Sequence, residues 1–301
     1  MRPLSFMKDS PEQSSSLLFQ EFAGLGLRPK HYPELLDKKP KLAWFEAITE
    51  NYLNTGGRPL AVLEEIRKDY RVHLHGVSLN IGSQDALNRE YLLKLKSLIK
   101  KIEPSLVTDH LCWGGAHGRN FHDLLPLAHT QKELLRISDR IKQVQDYLGH
   151  KIGLENVSSY VRYSIDEMEE WEFLNEISFR SDCLLLIDIN NIYVNSVNHT
   201  LSAEKFIDQL SAERVVQIHL AGHTVMSSGF LFDTHDAAVC DEVWRLFAYA
   251  MRKWGPRPFM IERDGNIPTF SELFAELQMA EAHLKNRLPV RAEIQNAVAV
   301  L

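Results

Sequence analysis

Cysteine is scarce in this chain of 301 residues, which contains only Cys112, Cys183 and Cys240. Three scattered cysteines are too few for a disulfide framework or a cysteine-based zinc site, so we expect a reducing compartment. No apolar run approaches the roughly 18 residues of a membrane helix, and the polar N-terminal residues lack the apolar core of a signal peptide. These absences predict a soluble, cytoplasmic protein without membrane association.

A block of lysine and arginine is also missing, and the formal net charge is −6 at pH 7. This acidic balance argues against a nucleic-acid-binding surface. No Gly-x-Gly-x-x-Gly turn follows an early strand, which disfavours an open dinucleotide-binding sheet. The remaining composition, 45% hydrophobic and 25% charged, is typical of a soluble globular protein.

Short apolar runs alternate with longer amphipathic segments along most of the chain. The runs predict eight strands, near residues 22–27, 43–48, 71–76, 106–111, 151–155, 184–189, 215–220 and 258–262. Helical patterns lie between them, at residues 59–70, 88–102, 130–148, 165–177, 203–210 and 241–254. This alternation predicts an α/β fold, a (β/α)₈ or TIM barrel. We expect the barrel domain over residues 21–285, a polar N-terminal arm over 1–20 and a C-terminal tail over 286–301.

The sixth predicted strand shows most clearly how polar residues follow buried strands. Four apolar residues, Leu184–Ile187, run directly into Asp188 and then Ile189-Asn190-Asn191. An uninterrupted apolar run is typical of a parallel strand covered on both faces. On an extended backbone Asp188 and Asn190 would point the same way, because side chains alternate with a period of two.

Imidazoles and carboxylates recur where the other strands end, the edge at which such barrels place their active sites. Without cations, so many carboxylates in one partly buried place would repel each other and would be costly to desolvate. Mixed nitrogen and oxygen donors suit divalent metals, so the pattern predicts a multinuclear metal site. Its candidate ligands are His75, His110, Glu155, Asp188, His219 and Glu262, with Asp233 and His235 from the loop after the seventh strand, and Asn156 if its strand has already turned.

Each of these residues alone has a simpler interpretation, since a lone histidine is usually hydrogen-bonded structure and a lone carboxylate is often a helix cap. We expect Asp109 to orient the imidazole of its neighbour His110. His73 is predicted to be a polar interior residue one layer below His75. Residues 113–118 are predicted to form a flexible loop over the site, and Cys112 is predicted to be structural.

Taken together, the strand ends resemble the multinuclear non-haem iron-dependent oxidases, the MNIO family, earlier catalogued as DUF692 or UPF0276 and built on a xylose-isomerase-like TIM barrel. The resemblance is carried by ten stretches in family order, among them Asp-Ile-Asn-Asn at 188–191 and His-Leu-Ala-Gly-His at 219–223. The others lie at residues 24–32, 50–52, 75–77, 109–113, 123–126, 155–160, 233–236 and 261–264. Each stretch is weak alone, and their common order makes the resemblance specific.

The resemblance implies two or three iron ions at the barrel mouth, in mixed ferrous and ferric states. It also implies O₂ as co-substrate, a ribosomally made precursor peptide modified at cysteine residues, and a small partner protein that presents the peptide. By position, the implied metal ligands are His75, His110, Glu155, Asn156, Asp188, His219, Asp233, His235 and Glu262, and those at the catalytic centre are His75, His110, Glu155, Asp188, His219 and Glu262.

Two further interpretations stay open from the residues themselves. One is a divalent-metal-dependent isomerase or phosphodiesterase on the same barrel, and the other is a metal-storing or scaffolding protein without catalysis. A phosphodiesterase acting on DNA would need a basic surface, which the net charge of −6 does not indicate.

Overall fold

Eight parallel strands close into a barrel in the computed structural model, which describes residues 19–284. The barrel strands follow one another in chain order around the ring, and each pairs with the next until the last strand pairs with the first. These eight strands are β1 (Ala23–Gly26), β2 (Trp44–Ile48), β3 (Arg71–Gly76), β4 (Leu106–His110), β7 (Gly153–Glu155), β8 (Leu184–Asp188), β9 (Val215–Leu220) and β12 (Phe259–Ile261). All eight predicted strands, and the predicted TIM barrel, are confirmed.

Ten α-helices with both ends inside the described range flank the strands and cover the outside of the barrel. They are α1 (Tyr32–Lys38), α2 (Glu50–Leu53), α3 (Arg58–Asp69), α4 (Arg89–Ile102), α5 (Gln131–Leu148), α6 (Glu170–Ser181), α7 (Ile189–His199), α8 (Ala203–Gln209), α9 (Asp241–Trp254) and α10 (Phe270–Leu284). Side-chain caps fix several starts, as where Asn88 Oδ1 accepts from Tyr91 N–H and Thr130 Oγ1 accepts from Glu133 N–H.

The helix expected over residues 165–177 begins later, at Glu170. Its start is set by a capping box, in which Glu169 and Glu172 satisfy each other's backbone N–H groups. Helices α1, α2 and α7 were not predicted. Of these, α7 matters most for the site, because it begins at once where β8 ends.

Aromatic packing fills the barrel interior below the mouth. The indole of Trp44 lies against Gly24, where a Cβ atom would come within 2.3 Å of the ring. His73 stacks on Trp44 with ring centroids 4.1 Å apart, and its Nδ1 lies 2.7 Å from Gln217 Oε1. The prediction that His73 is a polar interior residue is confirmed.

Two hairpins rise from the mouth of the barrel, β5 (Trp113–Ala116) with β6 (Arg119–Leu125) and β10 (Thr224–Val225) with β11 (Leu231–Phe232). The prediction of a loop over residues 113–118 is therefore wrong for most of that stretch. Glycine permits the pairing, since a Cβ at Gly114 would lie 2.7 Å from the carbonyl oxygen of Asp123.

The described part of the chain begins at Phe19, whose ring packs edge-on against Phe274 of α10. Most of the predicted N-terminal arm and all of the predicted tail lie outside the described residues. Between residues 19 and 284, no helix is long and apolar enough to cross a membrane.

Candidate metal centre

The first cluster at the barrel mouth joins His75 of β3, His110 of β4 and Glu155 of β7. His75 Nδ1 lies 2.8 Å from Thr108 Oγ1, and His110 Nδ1 donates to the carbonyl of Gly76 at 3.1 Å. Both imidazoles consequently present Nε2 to the interior, where each Nε2 lies 3.2 Å from Glu155 Oε2. Outward hydrogen bonds of this kind fix the tautomer and the ring orientation of a metal-binding histidine.

The expectation that Asp109 orients the His110 imidazole is wrong. The Asp109 carboxylate accepts from the backbone N–H groups of His110 and Leu79, at 2.8 and 3.2 Å, and the imidazole is held by Gly76 instead. The strand alternation explains this result, because adjacent residues of β4 point to opposite sides of the barrel wall.

The second cluster shares Glu155 with the first. Its ligand atoms, from Glu155, Asp188, His219 and Glu262, all lie within 4.8 Å of one another. His219 Nδ1 lies 3.1 Å from Glu262 Oε2 and 3.5 Å from Glu155 Oε1. The side chains of all four residues are almost fully buried.

The third cluster shares Glu262 with the second and adds His235 and Asp264. His235 Nδ1 lies 3.2 Å from Glu262 Oε2 and 3.4 Å from Asp264 Oδ2, while its Nε2 lies 2.7 Å from Asp233 Oδ1. Asp264 was not among the predicted ligands. Asp233 lies on the other edge of the same imidazole and also accepts from Asn190 Nδ2 at 2.8 Å.

Two hydrogen bonds join the Asn156 side chain to the Asp188 backbone. Asn156 Nδ2 donates to the Asp188 carbonyl at 3.1 Å, and Asn156 Oδ1 accepts from Asp188 N–H at 2.8 Å. The chain turns into α7 directly after Asp188, whose carboxylate caps that helix by accepting from Asn191 N–H. The idea that Asp188 and Asn190 share a face of one strand is therefore wrong, because Asn190 is helical.

Several ligand-type atoms of the clusters are buried without a well-aligned hydrogen-bond partner among the described residues. They are His75 Nε2, both carboxylate oxygens of Glu155, Asp188 Oδ2, His219 Nδ1 and His235 Nε2. An unsatisfied buried polar atom costs about 1–3 kcal/mol, and a bound cation would offset this cost for several of them at once. The donor set and the orphaned atoms therefore fit metal ions.

Burial also shifts the protonation of two of these groups. It lowers the pKa of His75 to about 3, so this imidazole is neutral and has a free lone pair at neutral pH. It raises the pKa of Asp188 to about 8, because an isolated carboxylate is poorly solvated at this depth. A cation beside Asp188 would replace that proton.

A sequence model described as "RiPP precursor modification enzyme MbnB/TglH/ChrH" matches residues 22–285 of the chain. The chain belongs to this family. RiPPs are ribosomally synthesised and post-translationally modified peptides, and the family's enzymes modify their precursors.

Close relatives agree with the family match. A UPF0276 protein of Acaryochloris marina is 45% identical over 267 residues, which cover 89% of this chain and 96% of the relative. A UPF0276 protein of an Anaeromyxobacter species is 47% identical over 257 residues, 85% of this chain and 90% of the relative. The resemblance drawn from the strand-end motifs is confirmed.

Solved structures share the fold at low sequence identity. A D-tagatose 3-epimerase-like protein has a TM-score of 0.56 at 15% identity, over 87% of this chain and 97% of the other. A xylose isomerase domain protein from Alicyclobacillus acidocaldarius has a TM-score of 0.54 at 15% identity, over 93% and 98%. These likenesses show a xylose-isomerase-like TIM barrel and carry no information on activity.

A cavity of about 340 Å³ lies over the clusters. His110, His235 and Glu262 line it from the metal side, and Arg28 lines it from the rim, where it forms a 2.7 Å ion pair with Asp264. A cavity of this size leaves room for a substrate side chain beside the clusters.

The sequence argument missed three residues that shape the clusters: Glu46, Thr108 and Asp264. Glu46 had a readable signal, since a lone carboxylate inside the apolar run Trp44–Ile48 must find a polar partner in the barrel. Asp264 stands two residues after Glu262 but beyond the end of β12, where strand alternation no longer predicts direction.

Proposed function

We propose that this chain is a non-haem iron-dependent oxidase that uses O₂ to modify a ribosomally made precursor peptide at a cysteine residue, together with a small partner protein. The observation that carries the proposal is the chain of three clusters, two of them fully buried, linked by Glu155 and Glu262 in a member of a RiPP-modifying family. Linked carboxylates of this kind suit neighbouring cations, since the two oxygens of Glu155 face different clusters and Glu262 Oε2 faces both His219 and His235.

The proposed ligands divide among the clusters. One iron would lie between His75, His110 and Glu155, and a second between Glu155, Asp188, His219 and Glu262. A third would lie by His235 Nδ1 and Glu262, with Asp264 completing it, since the predicted ligand Asp233 lies at the Nε2 edge of His235 and Asn156 Oδ1 accepts from Asp188 N–H. Mixed imidazole and carboxylate sites with open positions are typical of non-haem iron that reacts with O₂.

Bound iron would supply the reduction of O₂ and a site for the soft thiolate of a substrate cysteine. The protein's own part is to hold the ligands and to limit access. Thr108 and Gly76 fix His75 and His110 from behind, so both rings are oriented before any substrate arrives. The ligands lie below the cavity, and side chains are almost fully buried at His75 and Glu155, which excludes bulk water from them.

The metal is tested on protein purified without oxygen, by elemental analysis and Mössbauer spectroscopy. We expect two or three irons per chain, some of them ferrous. Zinc or manganese without iron would contradict the proposal and favour a divalent-metal isomerase or phosphodiesterase, which should turn over anaerobically. A protein without any metal would contradict the metal centre itself.

The reaction is tested with short cysteine-containing peptides encoded beside the gene, supplied with ferrous iron, O₂ and the product of any small neighbouring reading frame. We expect O₂ consumption and a change in peptide mass that depend on iron. An unchanged mass for every such peptide, despite bound iron, would favour a metal-storing or scaffolding role and contradict the oxidase.

A further inference from the structure

Glu46 is a buried carboxylate one layer below the metal clusters. It lies on β2 with its side chain pointing into the barrel, and the residue is 2% exposed. Its Oε2 lies 3.1 Å from His219 Nε2, the edge of that ring opposite the cluster. His219 therefore stands between two sets of carboxylates, with Nδ1 toward Glu155 and Glu262 and Nε2 toward Glu46.

The three imidazoles of the first two clusters differ in the partner of the ring nitrogen that faces away from the cluster. Thr108 contacts His75 and the Gly76 carbonyl accepts from His110, and both of these partners are neutral. His219 alone among the three has a carboxylate there. Its orientation is also reversed, since His75 and His110 present Nε2 to the cluster and His219 presents Nδ1.

A short polar column holds Glu46 in place. Gln217 Nε2 donates to Glu46 Oε2 at 2.5 Å, Gln217 Oε1 lies 2.7 Å from His73 Nδ1, and His73 stacks on Trp44. The amide nitrogen of Gln217 also lies 2.8 Å from His219 Nε2. The Gln217 amide could donate to His219 Nε2 only if Nε2 carried no proton. In a neutral imidazole the proton would then be on Nδ1, where it would block metal binding.

We propose that Glu46 is a positioning residue that keeps the proton of His219 on Nε2 and so directs the Nδ1 lone pair at the metal cluster. A carboxylate beside Nε2 favours the proton at that edge and increases the basicity of the ligating nitrogen. The inference rests on the proposed metal centre, and it adds a residue that contacts no metal itself.

The test compares Glu46→Gln with Glu50→Gln in the full chain. Glu50 is a partly buried carboxylate near the mouth that accepts from Val77 N–H and the Tyr91 hydroxyl, so it controls for loss of a buried charge. Metal-free proteins are titrated with Co²⁺ against a chelator, with stoichiometry from elemental analysis and coordination from visible absorption. Outer partners of metal-bound histidine contribute about 10–100-fold in affinity.

We expect Glu46→Gln to lose roughly 10–100-fold in affinity at one site and to change its cobalt spectrum, while Glu50→Gln stays within about twofold of the original protein. Unchanged affinity and spectrum in Glu46→Gln would overturn the positioning role alone. Failure of the unsubstituted chain to bind Co²⁺ at all would instead overturn the metal centre, and with it this inference.

A second measurement does not depend on the folding of Glu46→Gln. In the zinc-loaded, ¹⁵N-histidine-labelled chain, long-range proton–nitrogen spectra report which ring nitrogen carries the proton, and His219→Gln identifies the signal. We expect the His219 proton on Nε2. A proton on Nδ1 in the zinc-loaded protein would overturn the proposal.

Discussion

Glu155 Oε2 lies 3.2 Å from His75 Nε2, and neither atom has a well-aligned hydrogen bond although both side chains are 1% exposed. Two ligand-type atoms held this close and left unsatisfied are typical of a site that binds a cation between them. The second oxygen of Glu155 faces His219, so one carboxylate belongs to two clusters.

This sharing predicts unequal metal losses. Glu155→Gln should remove metal from the first and second clusters together, whereas His235→Gln should empty only the third. Elemental analysis of proteins purified in parallel measures the difference, and Glu176→Gln, a surface position paired with Arg180, serves as control. A Glu155→Gln protein with the full metal content would show that the clusters do not bind metal through this carboxylate.

Metal should stabilise the folded chain. A ligand at 1,000 times its dissociation constant adds about 4 kcal/mol to the free energy of unfolding, which for a domain of this size raises Tm by roughly 10 °C. Scanning calorimetry with ferrous iron under nitrogen, and again with a chelator, measures the shift. Glu155→Gln should show a much smaller shift, and an equal shift would place the stabilising metal elsewhere.

Gly24 should tolerate no side chain, because a Cβ there would lie 2.3 Å from the Trp44 ring inside the barrel. Gly24→Ala is expected to lower the free energy of unfolding by about 1–3 kcal/mol through overpacking. Gly56→Ala is the matched control, since a Cβ at that position meets nothing within 4 Å. Urea unfolding of both variants tests the difference, and equal stabilities would contradict the close packing.

Glu170 should make stability depend on pH. Burial raises its pKa from 4.5 to about 7, so between these values the folded state keeps a proton that the unfolded state has lost. The free energy of unfolding attributable to this group therefore falls as pH rises from about 4.5 to 7. Gln keeps the acceptor for Asn195 Nδ2 but cannot titrate.

The difference in free energy of unfolding between Glu170→Gln and the original chain should therefore be more favourable to the variant at pH 8 than at pH 4.5. The expected change in that difference is about 1–3 kcal/mol. Urea unfolding in the presence of a chelator at both pH values measures this change. The exposed Glu213→Gln should show no such change. A pH-independent difference between Glu170→Gln and the original chain would show that Glu170 titrates normally.

The strands were predictable because a parallel strand buried on both faces reads as a short apolar run whatever its partners are. Helix α7 was not predictable from the sequence. Its residues Ile189–His199 include four asparagines, which favour caps and turns over helix interiors. Here Asn191 Nδ2 and Asn195 Nδ2 donate to the carbonyls of Asn156 and Val157. Tertiary contacts thus outweigh local propensity.

The sequence by itself determined the barrel and the kinds of residue at its mouth, because strand length and the alternation of side chains are local properties of the chain. Only the tertiary structure decided which atoms meet. Glu46 and His219 are separated by 173 positions and come together across the closed barrel, where strand tilt and register set the distance. Barrel closure also decides that the Gly76 carbonyl, and not Asp109, contacts the His110 imidazole. It likewise decides that His219 directs Nδ1, and not Nε2, at the cluster.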